Sequence, residues 1–533
     1  MAHDVEQRVT KSGEFGAWLV RAAATVLQHY AVILWMIAAL TIVYLVLLPP
    51  CEDVITGLAW ADLEALQGHF PISLSDLWLS RGIGYKTFLY LAEGLSRFIA
   101  GDALRGRTDI FNAIFIALAL GVLLGAYHAF LLRRDPVEVR RFSLRDRAET
   151  LAVAALCVVP AVIWSWTQDT HISVLLCVLG IGLALSPSVR AQWCSGVVLI
   201  LLFSIKGVTA LDFLFVIATA FATGEAARIR RIIISAAMAT VATGLAYATI
   251  LRTELENILL GAQFEQPAHL GRFLKNGVQF AVYNPVIPIA LVVLAAALGA
   301  GLTRKNPRLV GFAIFIWLVP LASLFAQHEF FGYHYQGFVL SSWLCLMALY
   351  LAKDGHWPDF FAIRSAPPLA KIFVILVCCV NLAAIGMSLL TPNKTIYSRT
   401  VVEHRLDCWV QITKQARSLI LTADPGLAEN GAIVNLTRFT YGLELRSALR
   451  FFFPLPLQNQ NLGTQASKDY VRSIVEYNGP AVIAYAGMMK LGDEGFGPIV
   501  QHLRADYRPV LVLLSLCEDV RNSGAVVWMR ANN

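Results

Sequence analysis

Residues 31–53 read AVILWMIAALTIVYLVLLPPCED, and this stretch indicates the class of the protein. A predominantly apolar run of this length can cross a lipid bilayer as a helix. Pro49 and Pro50 end the run, because proline lacks the amide hydrogen that a continuing helix needs. Glu52 and Asp53 follow directly after Cys51. The stretch therefore predicts a membrane-spanning helix with a pair of carboxylates at its mouth.

The composition extends this interpretation to most of the chain. Hydrophobic residues make up 57% of it and charged residues only 15%, which is far from the soluble average. Recurring apolar segments predict about eleven transmembrane helices. The predicted spans are residues 29–48, 110–132, 151–166, 172–186, 194–204, 208–222, 232–250, 285–302, 309–326, 337–352 and 372–391. The fifth is short, so we expect it to tilt or to join the sixth through Lys206 and Gly207 as a broken hairpin.

The distribution of lysine and arginine predicts the orientation. Alternate loops are basic, and cytoplasmic loops of membrane proteins carry such an excess. The basic loops contain Arg133, Arg134, Arg140, Arg141, Arg145 and Arg147, then Arg190, then Arg228, Arg230 and Arg231, then Arg304, Lys305 and Arg308, then Lys353, Arg364 and Lys371. We therefore expect a multi-pass protein of the plasma (inner) membrane with a cytoplasmic N-terminus. The net charge of +7 reflects this bias, and it does not indicate a nucleic-acid partner.

An odd number of spans places the C-terminal tail outside the membrane on the opposite face. Residues 1–391 form the predicted transmembrane domain, and residues 392–533 form a small extracytoplasmic α/β domain. Its predicted strands are residues 432–436, 481–486, 510–516 and 525–529, with helices around 401–423 and 497–505. Cys408 and Cys517 lie in this tail, where an oxidising compartment would permit a disulfide, although spacing alone does not show that they meet.

The first external loop, residues 49–109, contains two further predicted helices, 61–66 and 85–99. Both are too short or too polar to span, so we expect them to lie in the membrane interface with their apolar faces among the lipid headgroups. The turn before the second helix reads RGIGYK from Arg81 to Lys86. Its two glycines permit a tight backbone, and Arg81, Tyr85 and Lys86 could bind a phosphate. The alternative is a simple interfacial anchor of Tyr and Lys.

Chemistry is expected first at the carboxylate pair. Asp53, with Glu52 as second choice, suits proton abstraction from an incoming hydroxyl, because water is scarce at the mouth of a membrane bundle. The alternative is that both are solvated charges at a helix end. A second candidate is Lys206, in the predicted external hairpin 201–209 (LLFSIKGVT), where apolar surroundings would strengthen its attraction for a phosphate. Its alternative role is a snorkelling anchor.

Weaker candidates surround these. Asp212 lies about one turn inside the sixth span, where it could pair with Lys206 or face a wet cavity. Arg272 and Lys275 share one helical face and could contact a second phosphate, or simply be solvated. Candidates near the ninth and tenth spans are His328, Glu329, His334 and Tyr335. With Asp53, His334 could hold Mg²⁺ or Mn²⁺. The alternative is that these are residues of the aromatic belt at the membrane interface, with histidines whose hydrogen bonds are satisfied within the protein. No cofactor is certain.

Four stretches in order resemble one family. The acidic pair Glu52-Asp53, the RGIGY turn 81–85, the hairpin 201–209 and the GYHY stretch 332–335 are similar to motifs of the GT-C class of polytopic glycosyltransferases. Among these, the pattern resembles the protein O-mannosyltransferases and the aminoarabinose transferases that modify lipid A. Many relatives have Arg-Pro-Pro-Gly-Tyr at the turn, where this chain has Arg-Gly-Ile-Gly-Tyr.

The resemblance implies an enzyme that transfers a sugar from a polyprenyl-phosphate donor to a hydroxyl of a lipid, glycan or protein acceptor at the outer face. It implies Asp53 as the base, and Lys206 and Arg81, backed by Lys86, as cations for the leaving phosphate. The chain has no Walker A motif, which suits a lipid donor rather than a nucleotide. The alternatives are a polymerase or ligase of polyprenyl-linked oligosaccharides, or a flippase or transporter. Transporters often show inverted repeats, and no repeat is visible here.

Overall fold

The structure is a computed structural model, and it describes part of the chain. The described residues are 32, 36, 54, 57–58, 60–62, 82–101, 103–131, 169–252, 254–255, 286–303, 305–327, 337–338, 340–342, 344–345, 414–415, 417–419, 421–422, 433–434, 465–479, 481–485, 497–512 and 525–531. Helix accounts for 86% of them, and one small sheet lies near the C-terminus. The expected class, mainly α with a small α/β region, is confirmed at this level.

Ten α-helices are described from end to end, eight of them before residue 328. They are α1 (Ile83–Ala100), α2 (Leu104–Leu131), α3 (Asp169–Leu185), α4 (Val189–Ile205), α5 (Phe213–Ala222), α6 (Ala226–Ala248), α7 (Val286–Thr303), α8 (Pro307–Gln327), α9 (Gln465–Val475) and α10 (Gly497–Asp506). A 3₁₀ helix, Gly207–Asp212, joins α4 to α5.

Two described helices are long and apolar enough to cross a membrane, namely α6 and residues Pro307–Ala326 of α8. On α6, Ile234, Met238, Val241 and Leu245 recur at helical spacing and are exposed. A soluble protein would normally bury such a stripe against its core. An exposed apolar patch of this kind marks a surface that contacts a partner or a membrane. These helices support membrane association. Shorter apolar helices, 172–185, 189–205, 207–222 and 290–303, coincide with four more of the predicted spans.

Several predicted spans cannot be followed. Residues 151–166 and 372–391, and all of 29–48 except residues 32 and 36, lie outside the described residues. The span predicted at 337–352 is described only at 337–338, 340–342 and 344–345, which are helical.

The helix breaks between the fifth and sixth predicted spans, where the sequence predicts it. Lys206 has an extended backbone, with φ −158° and ψ 134°, between the end of α4 and the 3₁₀ helix. The helix at the fifth predicted span is longer than expected, because α4 begins at Val189 and has 17 residues. Ser188 caps it by accepting a hydrogen bond from the amide of Ala191.

The start of α6 differs from the prediction. Arg228, Arg230 and Arg231 were expected in a loop, but α6 begins at Ala226 and includes them. Two of these guanidinium groups have protein partners: Arg228 pairs with Glu225 at 2.9 Å, and Arg231 donates to Gln192 Oε1 at 2.6 Å. With such partners, arginines extend an apolar helix beyond the point where hydropathy alone would end it.

The core of the helical part lies among α3, α4, α5, α6 and α8. Glycine allows the closest approach: a Cβ on Gly196 of α4 would lie 2.6 Å from the amide nitrogen of Ala236 on α6. A Cβ on Gly180 of α3 would lie 2.7 Å from Val216. Small residues at such contacts are typical of helices that pack in membranes.

The tail contains a four-stranded sheet in the order β1-β2-β4-β3. Its strands are β1 (Ile433–Val434), β2 (Ala481–Tyr485), β3 (Tyr507–Val512) and β4 (Ala525–Arg530). β1 runs parallel to β2, whereas β4 is antiparallel to both β2 and β3. All four correspond to predicted strands, and α10 to the helix predicted at 497–505. Helix α9 was missed.

One side chain fixes the loop that enters β2. The hydroxyl of Tyr507 donates to the carbonyl oxygens of Gly479 at 2.7 Å and Tyr477 at 3.2 Å. Arg530 donates to the neighbouring carbonyl of Asn478. Burial raises the pKa of the Tyr507 phenol, while Arg530 lowers it and Asp506 raises it to a smaller extent. The neutral donor form of the phenol is therefore the form that the fold stabilises.

Candidate functional site

The segment after the acidic pair is packed into protein. Glu52 and Asp53 lie outside the described residues, but Val54, Leu58 and Trp60 are helical and fully buried. Of the helix predicted at 61–66, only Ala61 and Asp62 are described, and both are buried. This end of the predicted interfacial helix therefore packs against the protein and does not face lipid headgroups.

Asp62 belongs to a buried ion cluster that the sequence did not reveal. Its carboxylate accepts from Arg97 at 2.9 Å and from Arg107 at 3.2 Å, and Arg107 also pairs with Glu93 at 3.2 Å. Arg107 Nε donates to the carbonyl of Gly101 at 2.6 Å. Because these side chains come from three segments, the ion cluster ties residues 54–62 to α1 and α2. A buried charge requires such pairing.

The ion cluster reverses the expected environment of one face of α1. Glu93 is a charged residue of the helix predicted at 85–99, and it is only 2% exposed. The solvent-exposed or lipid-exposed face carries Leu91, Leu95, Phe98 and Ile99, and Phe98 is 87% exposed. A helix with charges inward and apolar side chains outward suits a lipid environment. The interfacial position of residues 85–99 stays a prediction.

The two glycines of the RGIGYK turn contact the lysine hairpin, which we define as residues 201–212. The amide of Gly82 donates to the carbonyl of Ile205 at 2.8 Å. A Cβ on Gly82 would lie 2.2 Å from the carbonyl oxygen of Ser204, and one on Gly84 would lie 2.3 Å from Ser204 Oγ. Glycine is needed at both positions because the two backbones approach so closely. Two stretches singled out separately in the sequence thus meet in space.

The lysine hairpin has its own internal support. Thr209 Oγ1 donates toward the carbonyl oxygens of Leu202 at 2.6 Å and Lys206 at 2.8 Å. The side chain of Lys206 is half-buried. Asp212, at the end of the 3₁₀ helix, accepts a hydrogen bond from Ser173 Oγ of α3 at 2.5 Å. Ser173 is therefore a partner of Asp212 that the sequence did not suggest.

Lys86 is held by a carboxylate that the sequence analysis did not single out. Its ammonium lies 2.8 Å from Glu254 Oε1, and the two side chains are 2% and 3% exposed. Lys86 is thus buried and charge-compensated. Its predicted role behind Lys206 as a phosphate contact stays a prediction. The one sequence signal for Glu254 is its position just beyond a predicted span, on the same predicted side as Lys86.

Aromatic residues border the site. Phe203 and Tyr247 make an edge-to-face contact with ring centroids 5.6 Å apart. The Tyr247 hydroxyl is buried without a hydrogen-bond partner among the described residues. Tyr85, the third candidate of the turn, is 2% exposed and lies 6.5 Å from Phe88 between ring centroids. The ring of Tyr85 therefore packs against α1.

The remaining candidates fall outside the described residues. They are Glu52, Asp53, Arg81, Arg272, Lys275, His328, Glu329, His334 and Tyr335. The possible Mg²⁺ or Mn²⁺ site at Asp53 and His334 falls outside with them, as does the possible disulfide between Cys408 and Cys517. Within the described part of the chain, no group of three or more His, Cys, Asp or Glu side chains could hold a metal ion.

Comparison with known proteins gave no relative: no protein-family model matches the chain, and no curated protein matches it.

Proposed function

We propose that this protein is an integral-membrane glycosyltransferase of the GT-C type. It transfers a sugar from a polyprenyl-phosphate donor to an acceptor hydroxyl at the outer face of the plasma (inner) membrane. The observation that supports this most is the 2.8 Å hydrogen bond from Gly82 to Ile205, because it brings the RGIGYK turn against the lysine hairpin. A phosphate bound beside this contact would have cationic side chains from both segments.

The proposed reaction breaks one bond and forms another. The acceptor hydroxyl gives its proton to Asp53, or to Glu52 as second choice, and its oxygen bonds to the anomeric carbon of the sugar. The bond between that carbon and the phosphate oxygen breaks, and its electron pair stays on the polyprenyl phosphate. Lys206 and Arg81 stabilise the additional negative charge on the leaving phosphate.

The surroundings favour such charge stabilisation. Next to Lys206, Ile205 and Thr209 are buried, and Lys206 itself is half-buried. In an environment with little water, an ammonium attracts a phosphate more strongly than it does in bulk solvent. The exposed apolar stripes of α1 and α6 suit a protein surrounded by lipid, in which a polyprenyl chain also partitions.

The acceptor is a lipid, glycan or protein that carries a hydroxyl group. Arg272 and Lys275 are proposed to contact a second phosphate. His328, Glu329, His334 and Tyr335 are proposed to border the same pocket, with Asp212 at its hairpin side. The proposed sidedness rests on the basic loops of the sequence.

The test is a transfer assay with purified protein in lipid nanodiscs and a panel of radiolabelled polyprenyl-phosphate sugars. One donor should lose its label to an endogenous or added acceptor. Asp53→Asn should lower the rate by about 10²–10⁴ while donor binding is retained. Lys206→Met should lower both the transfer rate and the affinity for the donor. A well-folded protein that binds no polyprenyl phosphate and consumes no donor would refute the proposal.

A further inference from the structure

The pair of Lys86 and Glu254 connects two segments that lie 168 residues apart in the chain. It stands beside the contact between the RGIGYK turn and the lysine hairpin. The amide of Lys86 donates to the carbonyl of Gly82 at 3.2 Å, and Gly82 in turn donates to Ile205. Lys86 is therefore on the first turn of α1, four residues after the glycine that contacts the hairpin.

Glu254 is poorly satisfied for a purely structural residue. Its Oε1 accepts from Lys86, but its Oε2 is buried without a hydrogen-bond partner among the described residues. A buried ion pair offsets the loss of hydration only when its remaining lone pairs are also satisfied. An unsatisfied buried carboxylate oxygen costs stability, which suggests that Glu254 is retained for another reason.

We infer that Glu254 sets the affinity of the donor site for phosphate by competing for Lys86. An ammonium has three donor hydrogens, and among the described residues Glu254 Oε1 accepts from one of them. Its other donor hydrogens can serve an incoming phosphate oxygen while Glu254 keeps the net charge of the site low. This inference rests on the proposed function, and it makes Glu254 a positioning residue.

The charge of the lipid changes during the reaction, and Glu254 acts on that change. The donor is a phosphodiester with one negative charge. The product is a phosphate monoester with a charge of roughly −1.5 to −2 at neutral pH. A fixed carboxylate repels the product more strongly than the donor, because Coulomb energy is proportional to the charge. Glu254 thus speeds the departure of the product.

The experiment measures binding of three probes to full-length protein in nanodiscs. The probes are a polyprenyl phosphate, its methyl diester and the neutral polyprenol. For Glu254→Gln we expect binding tighter by roughly 3–10-fold for the diester and roughly 10–100-fold for the monoester. Polyprenol binding should not change. In turnover, kcat and KM should fall together, because the monoester product leaves more slowly.

The matched control is Glu225→Gln. Like Glu254, Glu225 pairs with a cation, in its case Arg228 at 2.9 Å, but it lies at the opposite end of α6, and its loss should change no affinity. Glu254→Asp retains the charge and should restore values near those of the wild type. The double variant Lys86→Gln/Glu254→Gln removes both charges, and its affinity for the monoester should fall below that of the wild type. This variant tests the inference even if Glu254→Gln does not fold.

The outcomes separate the two proposals. If the wild type binds both phosphate probes better than polyprenol, and a folded Glu254→Gln variant binds them no more tightly, the role of Glu254 is refuted and the proposed function stands. An equal gain in affinity for polyprenol would also refute the role of Glu254, because it would indicate a loosened fold rather than a change in electrostatics. If the wild type binds neither phosphate probe better than polyprenol, both proposals fail.

Discussion

The amide nitrogen of Gly82 lies 2.8 Å from the carbonyl oxygen of Ile205, so the backbones of the first loop and of the broken hairpin are in direct contact. No side chain separates them, because both glycines of the turn lie against Ser204. The relative position of Lys86 and Lys206 is therefore set by main-chain geometry, which is stiffer than a contact between long side chains.

Gly82→Ala should displace the turn from the hairpin. Its Cβ would lie 2.2 Å from the carbonyl oxygen of Ser204, and backbone cannot yield as a flexible side chain can. A displacement of about 1 Å at a reaction site can cost about 10² in rate. The matched control is Gly94→Ala, on the same helix, whose Cβ meets nothing within 4 Å. Transfer assays that show equal activity for the two variants would contradict the role of the contact.

Arg107→Met should destabilise the first loop strongly. It leaves Asp62 without one of its partners and removes the 3.2 Å pair with Glu93, all of them buried. Breaking a buried ion pair on one side costs about 3–5 kcal/mol. Thermal unfolding in detergent should show a clear drop in the midpoint. Arg308→Met, at an exposed arginine, is the control; equal midpoints for the two would be inconsistent with a structural role for the ion cluster.

Ser173→Ala tests the support of the hairpin from α3. It removes the hydrogen bond that Asp212 accepts at 2.5 Å, and a charged acceptor that loses its donor costs about 1–3 kcal/mol. Thr303→Ala is the control, because its exposed hydroxyl bonds only to carbonyls of its own helix. Unfolding free energies from denaturant titration should separate the two variants. Equal values would show that Ser173 does not stabilise the hairpin.

Tyr507→Phe should loosen the sheet of the tail. It leaves two carbonyl acceptors without their donor, at a cost of about 1–2 kcal/mol. Met529 is 5% exposed on the adjacent strand, so peroxide oxidation of Met529, followed by peptide mass spectrometry, reports opening. Its rate should rise roughly 5–30-fold. Met238, 64% exposed, is the internal control and should react equally in both proteins.

The same residue predicts a dependence on pH. Because burial raises the pKa of the folded-state phenol, its contribution is fully present below the unfolded value of about 10. It is lost as the pH rises through the folded pKa. Oxidation of Met529 in the wild type should accelerate over that alkaline range, and Tyr507→Phe should lack this step. A step of equal size in both proteins would assign it to another group.

Orientation can be tested by thiol labelling in a variant without the native cysteines. Asp76→Cys and Gln465→Cys, in the first loop and the tail, should react with a membrane-impermeant reagent in intact cells. Arg141→Cys, in a basic loop, should react only after the cells are opened. Protection of the first two positions would reverse the proposed sidedness and remove the argument for an outer-face donor.

Local signals in the sequence predicted local structure. Short β-branched runs marked all four strands, and the sequence around Lys206 and Gly207 marked the break. The glycines of the turn predicted a tight backbone, but the sequence did not reveal that they lie against Ser204. Helix α9 was not predicted because its residues, QASKDYVRSIV, are mostly polar. Only Ile474 among its described side chains is deeply buried.

Pairings between distant charges could not be predicted. Nothing in the periodicity of residues 85–99 indicates that Glu93 meets Arg107 or that Lys86 meets Glu254. A charge on an amphipathic helix is normally expected to face water, and here the apolar face is outermost. Such an inversion depends on the surrounding medium, which no short window of sequence contains.

The ion cluster and the Lys86–Glu254 pair also differ in when they can form during synthesis. Asp62, Glu93, Arg97 and Arg107 are all present once the chain has reached Arg107. Glu254 emerges roughly 150 residues later, on the order of ten seconds at ordinary translation rates. The first loop can thus be tied together while Lys86 still lacks its carboxylate, so until residue 254 is in place the ammonium of Lys86 must be hydrated or paired elsewhere.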